Sequence, residues 1–325
     1  MRTVSMRACA AAVFLVLVSG LVLGQGKYPS KPIRFIVPFP PGGATDPVAR
    51  MVGGELSKSL GQQVVVENRG GGGGTIGVDI GVKSAPDGYT IFLGSTGGIG
   101  INPVLMAKPP YDPARDIAAI SMLALSPLLI VVPPESPLRS VNDLIAAAKA
   151  RPGTIAYGTA GPGTLHHLAA EMLKQRFGFE ITHVPYKGSG PAATDLLGGQ
   201  LPLAFLDVSS IMTHVRAGKA RVLINTGAKR SAVAPDIPAM PEAGIADFDA
   251  VGWFILAAPT ATPADIIALL NRETVRVLAL PEIRERFIAS GIEAKSSTPA
   301  ETGAFVRDEL AKWTRVIRAA GIKSE

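Results

Sequence analysis

Short apolar segments alternate with amphipathic helical segments along most of the chain, and this alternation constrains the fold more than any other feature. It is typical of α/β proteins, in which helices cover a sheet of largely parallel strands. The predicted strands are Ile33–Val37, Val64–Glu67, Thr90–Gly94, Leu128–Val132, Ile155–Gly158, His183–Pro185, Leu203–Leu206, Val222–Thr226 and Trp253–Ala257. The predicted helices are Asp46–Leu60, Ile76–Ser84, Val141–Ala150, Thr164–Phe177, Gly190–Gly198, Ile211–Ala217, Ala264–Ala279, Pro281–Ala289 and Pro299–Ala319.

Two strongly apolar segments are predicted to cross between two halves of the molecule. Leu128–Val132 follows a polar region around residues 112–121, and Gly252–Pro259 lies near the start of the last third of the chain. If both segments cross, residues 25–126 and 253–325 form one lobe and residues 127–252 form the other. Two lobes joined by two strands make a hinged clamp around a cleft.

The N-terminus has the pattern of a secretory signal peptide. Arg2 and Arg7 precede an apolar run from Ala8 to Leu23, which is shorter than the ~20 residues of a comfortable membrane span. Val22 and Gly24 place small residues at positions −3 and −1, so cleavage is expected after Gly24. The signal peptide is then residues 1–24 and the mature protein is secreted; the alternative is an uncleaved membrane anchor.

The cysteine content and the net charge of the chain exclude several classes of function. The one cysteine, Cys9, falls inside the leader, so the mature chain is expected to lack thiol chemistry, disulfides and cysteine-ligated metals. Removing Arg2 and Arg7 lowers the formal charge from +6 to +4. That excess suits acidic ligands but is too diffuse for a nucleic-acid groove.

The strand Ile33–Val37 runs into a turn that is poor in side chains and then into a helix that begins near Asp46. Gly42 and Gly43 lack a Cβ, so a ligand can approach the backbone closely. Thr45 and Asp46 are predicted to cap the helix. The free N–H groups of such a helix start attract anions, which indicates a site for a small acid.

The segment 155–164 repeats this strand, glycine turn and helix start in the other predicted lobe. Two such helix starts facing each other would hold an acidic ligand from both sides, with Thr159 and Thr164 as additional hydroxyl donors. Either turn alone is also consistent with an ordinary strand-to-helix connection. The candidate ligand-binding residues of the two turns are Phe39, Gly42, Gly43, Ala44, Thr45, Asp46, Thr159, Ala160, Gly161 and Thr164.

Further candidates follow other predicted strands. Ser95 and Thr96 come after the third strand, and ligands of open α/β sheets lie beyond the carboxyl ends of strands. Lys187 either supplies positive charge or is an exposed, solvated lysine. Asp207 either accepts from an ammonium or hydroxyl of the ligand or caps the helix from Ser209 or Ser210.

The sequence patterns that would indicate catalysis or a cofactor are incomplete or absent. Residues 72–77 fit the dinucleotide fingerprint, but no acidic residue ends a second strand about 20 residues later. His166 and His167 are adjacent, so on a helix they point about 100° apart, and no pair of carboxylates accompanies them for a metal. Of these two, His167 is the candidate ligand contact. No Gly-x-Ser-x-Gly elbow is present for a serine hydrolase. No cofactor, metal or catalytic residue is therefore predicted.

A series of ordered motifs resembles the Bug family, the extracytoplasmic solute receptors of tripartite tricarboxylate transporters. The resemblance covers essentially the whole mature chain. Its motifs are Tyr28–Ile33, Val37–Gly43, Val66–Arg69, Ala85–Thr90, Pro110–Pro113, His183–Gly188, Asp195–Gln200 and Ala319–Lys323. The glycine run 70–74 and the segment 206–210 depart from the usual pattern of the family.

The resemblance implies a type II periplasmic binding-protein fold. It also implies a carboxylate held by backbone amides, hydroxyls and bound waters of the two turns, at residues 42–46 and 159–164. Such a receptor, expected to be a monomer, delivers its solute to separate integral membrane subunits of the transporter; some report to a signalling kinase instead. The rival hypotheses are an α/β enzyme acting on a small carboxylic acid and a sensor without transport.

Overall fold

A computed structural model describes residues 28–41 and 44–322. The predicted signal peptide, Gly42 and Gly43 lie outside the described residues. The strands are β1 Ile33–Val37, β2 Val64–Asn68, β3 Thr90–Ser95, β4 Ile117–Ser126, β5 Leu128–Val132, β6 Ala156–Thr159, β7 Thr182–Pro185, β8 Ala204–Asp207, β9 Arg221–Asn225, β10 Gly252–Pro259 and β11 Glu293–Ala294. The α-helices are α1 Thr45–Leu60, α2 Thr75–Val82, α3 Asn102–Leu105, α4 Pro113–Asp116, α5 Val141–Ala150, α6 Leu165–Phe177, α7 Ser189–Leu197, α8 Val208–Arg216, α9 Ala264–Ala279, α10 Pro281–Ala289 and α11 Pro299–Ala320.

The first sheet has six strands in the order β11-β4-β10-β3-β1-β2. Its β1 is parallel to β2 and β3, whereas β10 is antiparallel to β3 and β4. In β1 four of five residues are fully buried, because α1, α9 and α10 cover one face of the sheet and α2 and α11 cover the other. The apolar, β-branched sequence of β1 thus forms a strand buried on both faces, as predicted.

The second sheet has five strands in the order β7-β6-β8-β5-β9. Its β6 runs parallel to β7 and β8, while β5 is antiparallel to β8 and β9. Alternate residues of β5 face opposite sides of the sheet, as the period of a strand requires. One side packs against α5 and α6, and the other packs against α7 and α8. The predicted α/β class is confirmed.

The largest error of the sequence-based prediction lies between residues 112 and 126. This region was expected to be polar connecting chain up to Ser121, but it forms the short helix α4 and then the ten-residue strand β4. Small residues dominate the first half of β4, so its alternation lacks the bulky β-branched residues that mark a strand. Pairing with β10 along its length places β4 inside the first sheet.

The two sheets are joined where β4 leads into β5 and where residue 252 re-enters the first sheet. Gly252 pairs with Ser126, and the backbone N–H of Thr226 donates to the carbonyl of Leu128 at 2.9 Å. The two crossing segments therefore run side by side. Short paired segments of this kind can absorb a rotation of one half against the other.

The last helix, α11, contacts both halves of the molecule. Trp313 and Ile317 are buried in the core that covers α6, and Val306 is buried against the first sheet. Glu309, buried between them, accepts hydrogen bonds from the indole N–H groups of Trp253 (2.8 Å) and Trp313 (2.9 Å). Within residues 28–41 and 44–322, no helix combines the length and apolar character that crossing a membrane requires.

Candidate functional site

The first predicted turn connects β1 to α1, and its central residues Gly42 and Gly43 are outside the described structure. Phe39 is half-buried, and its carbonyl accepts a hydrogen bond from Asn68 Nδ2 at 3.0 Å. Ala44 occupies the N-cap position of α1, without a capping side chain. The helix therefore begins at Thr45, and its first N–H groups receive no side-chain cap.

The predicted capping by Thr45 and Asp46 is wrong. The Asp46 carboxylate instead accepts from Arg50 Nε and from Asn68 Nδ2, both at 2.9 Å. The hydrogen bond from Arg50 is the main reason why the pKa of Asp46 lies below its usual value, so this carboxylate stays charged. Thr45 is 5% exposed, and its Oγ1 is buried without a hydrogen-bond partner.

The second predicted turn, between β6 and α6, is held by its own side chains. Thr159 is fully buried; its Oγ1 accepts from the backbone N–H of Gly161 at 3.1 Å and lies 2.6 Å from His183 Nε2. Thr164 Oγ1 donates to the carbonyl of Gly161 at 2.7 Å. Both hydroxyls that were predicted to serve a ligand are therefore occupied within the turn, and the carbonyl of Ala160 accepts from Gly188 N–H at 3.1 Å.

Glycine is required twice in this turn. Gly161 has φ +129° and Gly163 has φ +66°, which are conformations that residues with a Cβ rarely adopt. A Cβ at Gly163 would lie 2.9 Å from Leu105 Cδ1. Leu105 ends α3, which follows the first sheet, so the second turn touches the other half of the molecule at this point.

His167, on α6, is hydrogen-bonded to the second turn. Its Nδ1 accepts from the backbone N–H of Gly163 at 3.2 Å, and its ring stacks on His183 with centroids 4.1 Å apart. His183 in turn stacks on Tyr157 at 5.0 Å. Burial lowers the pKa of His167. Burial, the adjacent imidazole of His167 and the positive charge of Lys174 lower the pKa of His183 to about 4. Both rings are therefore neutral at pH 7, which matches the acceptor role of His167.

His166 reaches across the carboxyl edge of the second sheet. Its Nε2 lies 3.1 Å from Ser189 Oγ and 3.3 Å from Asp207 Oδ2, while Ser189 donates to the same carboxylate at 2.6 Å. Burial alone raises the pKa of Asp207, but the charge and hydrogen bond of His166 and the Ser189 hydroxyl bring it below the usual value. The alternative that Asp207 caps α8 is wrong, since its side chain makes no cap hydrogen bond.

The remaining candidates divide between structural and exposed positions. Ser95 and Thr96 are buried: Ser95 Oγ accepts from Gly98 N–H at 3.2 Å, and Thr96 Oγ1 accepts from Trp253 N–H at 2.8 Å. These contacts fix β3 and the chain after it. Lys187 is exposed.

Sequence reasoning missed Asn68, Asn102 and His183. Asn68 links the first turn to Asp46, and Asn102 Nδ2 donates to the carbonyls of Gly72 (2.9 Å) and Gly73 (3.0 Å), which fixes the glycine run beside that turn. The available signal was a polar residue at the end of a strand or directly after a glycine-rich segment. Across the described part of the chain, no three histidine, cysteine or acidic side chains lie close enough together to hold a metal ion.

Comparison with known proteins identifies the family. Residues 48–322 match the tripartite tricarboxylate transporter family receptor. The protein BugT of Bordetella pertussis is 42% identical over 297 residues, which cover 91% of each chain. The solved structure of R. palustris Rpa4515 with adipate is 34% identical and covers 91% of this chain and 99% of that one, with a TM-score of 0.80. MatC from Rhodopseudomonas palustris with bound malate is 29% identical and covers 89% of this chain and all of its own, with a TM-score of 0.76.

These relatives share the two-lobed α/β fold of periplasmic binding proteins, and the resemblance seen in the sequence motifs is confirmed. They favour a solute receptor over the alternative of an enzyme. The chain belongs to the tripartite tricarboxylate transporter receptor family, together with the Bug proteins.

Proposed function

We propose that this protein binds a small carboxylic acid between its two lobes in the periplasm and delivers it to the membrane subunits of a tripartite transporter. The observation that carries the proposal is the repeated site. In each sheet, one parallel strand leads into a glycine-containing turn, and a helix begins directly after that turn. Helix starts of this kind present unpaired N–H groups and a positive dipole end to an anion.

Two buried polar atoms support the same placement. Among the residues that the structure describes, the buried side-chain atoms without a hydrogen-bond partner are Thr45 Oγ1, His166 Nδ1 and Asp79 Oδ1. Asp79 Oδ1 lies 2.7 Å from Lys83 Nζ and is satisfied by that ion pair. The other two lie in the first turn of α1 and the first turn of α6, one in each half of the molecule. A buried polar group without a partner costs about 1–3 kcal/mol, and a ligand would remove that cost.

The proposed ligand contacts are the backbone amides of residues 42–46 and 161–164, with the Thr45 hydroxyl as a side-chain donor. Ser95, Thr96, Thr159 and Thr164 shape this site through the hydrogen bonds described above. The class of ligand is supported by the adipate and malate bound in the two R. palustris structures, both of which are dicarboxylic acids. Neither turn contains an arginine, so we expect amides and helix dipoles to balance the ligand charge.

Closure of the lobes around the acid is part of the proposal. Contacts between the halves already exist in the described structure: Leu105 lies against Gly163, and Glu293 accepts from Ser231 Oγ at 3.1 Å and from the backbone N–H of Ala232 at 3.2 Å. A ligand that touches both turns binds the closed arrangement more tightly than the open one and shifts the population towards it.

We also propose that the mature chain starts after Gly24, that it is a monomer, and that it binds its solute without chemical turnover. A sensor that passes the bound state to a signalling kinase is the second candidate function. Both functions use the same binding site, so they differ in the partner and not in the ligand.

Thermal-shift screening of carboxylic acids against the mature protein tests the proposal. Saturating a site with ligand at 100 times its Kd stabilises the folded state by about 2.7 kcal/mol, which is a readily measured rise in Tm. We expect at least one acid to raise the Tm and the matching primary amide to leave it unchanged. A panel in which no carboxylate acts, or in which a bound acid is converted to product, would contradict the proposal.

A further inference from the structure

Asn102 lies between the two binding turns, and we propose that it is a positioning residue that couples them. Its side-chain amide holds the glycine run 70–74, which touches the first turn, and its backbone begins α3, which touches the second turn. Asn102 thus acts on ligand affinity through protein contacts and not by touching the acid. This inference rests on the proposed function and names a residue that tunes the same site.

The glycine run lies directly against the described part of the first turn. A Cβ at Gly70 would lie 2.8 Å from Pro40 Cδ, and one at Gly74 would lie 3.0 Å from Phe39 Cζ. Distances this short leave no room for side chains on the run, so its bare backbone packs against the turn. A shift of the glycine run therefore displaces the residues that follow β1.

The Asn102 side chain fixes the middle of this run. Its Nδ2 donates to the carbonyls of Gly72 (2.9 Å) and Gly73 (3.0 Å), so each of its two protons has an acceptor. Both glycines have a left-handed backbone, with φ +56° and +62°, and residues with a Cβ rarely adopt this conformation. Carbonyl oxygens only accept hydrogen bonds, so the orientation of the Asn102 amide is determined by these partners.

The helix that Asn102 begins meets the second turn at its other end. A Cβ at Gly163 would lie 2.9 Å from Cδ1 of Leu105, the last residue of α3. Val104 and Leu105 pack against the core of the second sheet, although α3 follows a strand of the first sheet. A helix of four residues is only about 6 Å long, so a displacement at Asn102 is passed to Leu105 directly.

Contacts thus continue from Phe39 through the glycine run, Asn102 and Leu105 to Gly163. Packed elements of this kind carry energetic coupling between separate parts of a site. A ligand held by both turns binds tightly only when their spacing is correct. Without the Asn102 hydrogen bonds each turn keeps its own structure, but the spacing between the turns is no longer fixed. A purely structural Asn102 would instead contribute to affinity independently of Gly163.

Two neighbouring glycines provide a matched pair of variants. Gly72→Ala and Gly73→Ala introduce nearly the same backbone strain, because the two φ values are almost equal. A Cβ at Gly73 would lie 2.5 Å from Asn102 Nδ2, whereas one at Gly72 meets Thr75 Cβ at 3.4 Å and no atom of Asn102. Only Gly73→Ala therefore displaces the asparagine. Asn102→Asp keeps the side-chain shape and suits a helix start, but it replaces the donor with an oxygen that repels both carbonyls.

Isothermal titration calorimetry with adipate, malate, succinate and citrate measures Kd for these variants. We expect Gly73→Ala and Asn102→Asp to weaken the acid that the wild type binds by about tenfold, the range of one or two lost hydrogen bonds. Gly72→Ala should weaken it by less than about threefold. Equal losses for the two glycine variants, or no loss for either, would overturn the inference and leave the receptor function intact. The glycine pair alone decides the outcome if Asn102→Asp fails to fold.

A double-mutant cycle separates coupling from a purely structural role. Asn102→Asp and Gly163→Ala both disturb the contact between Leu105 and the second turn, so their combined loss in affinity should be smaller than the sum of the two. Gly178→Ala has nearly the same φ as Gly163→Ala, but its Cβ meets nothing within 4 Å. Its loss should add to that of Asn102→Asp. Additive losses in both combinations would overturn the inference.

Spin labels on the two lobes give a readout that does not depend on affinity. Lys58 on α1 and Lys149 on α5 are exposed, and the one native cysteine falls in the predicted leader, so cysteines at these two positions can be labelled selectively. Electron–electron distance measurements should show that saturating acid shortens and narrows the distribution in the wild type, and leaves it broader in Gly73→Ala than in Gly72→Ala. Identical narrowing in both would overturn the inference. A wild type that binds none of the four acids would overturn the inference and the proposed function together.

Discussion

The backbone N–H of Gly163 donates to Nδ1 of His167 at 3.2 Å, so the second binding turn depends on a histidine that must remain neutral. A proton on this nitrogen would place two N–H groups face to face. His167 is stacked on His183, and burial is the main reason why the pKa of His183 is lowered to about 4. The charged groups beside this pair are Glu171 and Lys174. The turn is thus coupled to the protonation of a buried histidine pair.

Protonation of His183 should make the stability of the protein depend on pH. In the unfolded chain a histidine has a pKa of about 6.5, so the unfolded state binds more protons than the folded state between about pH 6.5 and 4. Stability should therefore fall as the pH drops through this window and level off below the folded pKa of about 4. The loss from His183 is roughly 3 kcal/mol at most.

Urea unfolding of the wild type, His183→Gln and the control His214→Gln between pH 4 and 8 measures this effect. The difference in free energy of unfolding between wild type and His183→Gln should shrink as the pH falls, because only the wild type loses this contribution. A difference that is constant over the whole range would mean that His183 does not titrate as described.

Removing the Thr159 hydroxyl should loosen the second turn. Thr159→Val keeps the volume of the side chain but leaves Gly161 N–H and His183 Nε2 without their shared partner. We expect a loss of about 1–3 kcal/mol in the free energy of unfolding and weaker acid binding. Thr194→Val, at an exposed position of α7, is the control that should change neither quantity.

A methyl group at Gly163 should hinder closure. Gly163 and Gly178 have nearly the same φ, +66° and +64°, so alanine at either position costs about 1–2 kcal/mol of backbone strain. A Cβ at Gly178 meets nothing within 4 Å, whereas one at Gly163 would crowd Leu105 of the other half. Gly163→Ala should therefore weaken acid binding and Gly178→Ala should not. Equal Kd values for the two variants by calorimetry would exclude the closing contact.

The buried carboxylate of Glu309 should be the most costly acid to remove from α11. It accepts from two indoles and pairs with Lys312, which also donates to the carbonyl of Asp249 at 3.0 Å. Glu309→Leu would leave two buried indole N–H groups unpaired, and we expect a loss of about 2–4 kcal/mol. Glu309→Gln keeps an acceptor oxygen and should lose less. Chemical denaturation giving the same loss for both variants would contradict this.

The sequence was most informative where one segment determines its own structure. The apolar runs of β1 and β5 and the helical segment of α5 were predicted with the observed boundaries, because local pattern and burial agree there. Strand β4 was missed because small residues weaken the alternation that marks a strand.

Side-chain roles at the site depended on partners that are far away in the chain. Thr96 was predicted to face a ligand, yet its hydroxyl serves Trp253, 157 positions later. Thr159 likewise serves His183, 24 positions later, in the neighbouring strand. A hydroxyl at the end of a strand indicates proximity to the site, but only the three-dimensional arrangement decides whether a ligand or the protein uses it.

A crystal structure of the mature protein with the acid that gives the largest thermal shift tests the central claim most directly. We predict one ligand carboxylate with oxygens about 2.7–3.2 Å from backbone nitrogens of the turn at residues 42–46, facing the turn at residues 161–164 across the closed lobes. A carboxylate bound away from both turns would contradict the account.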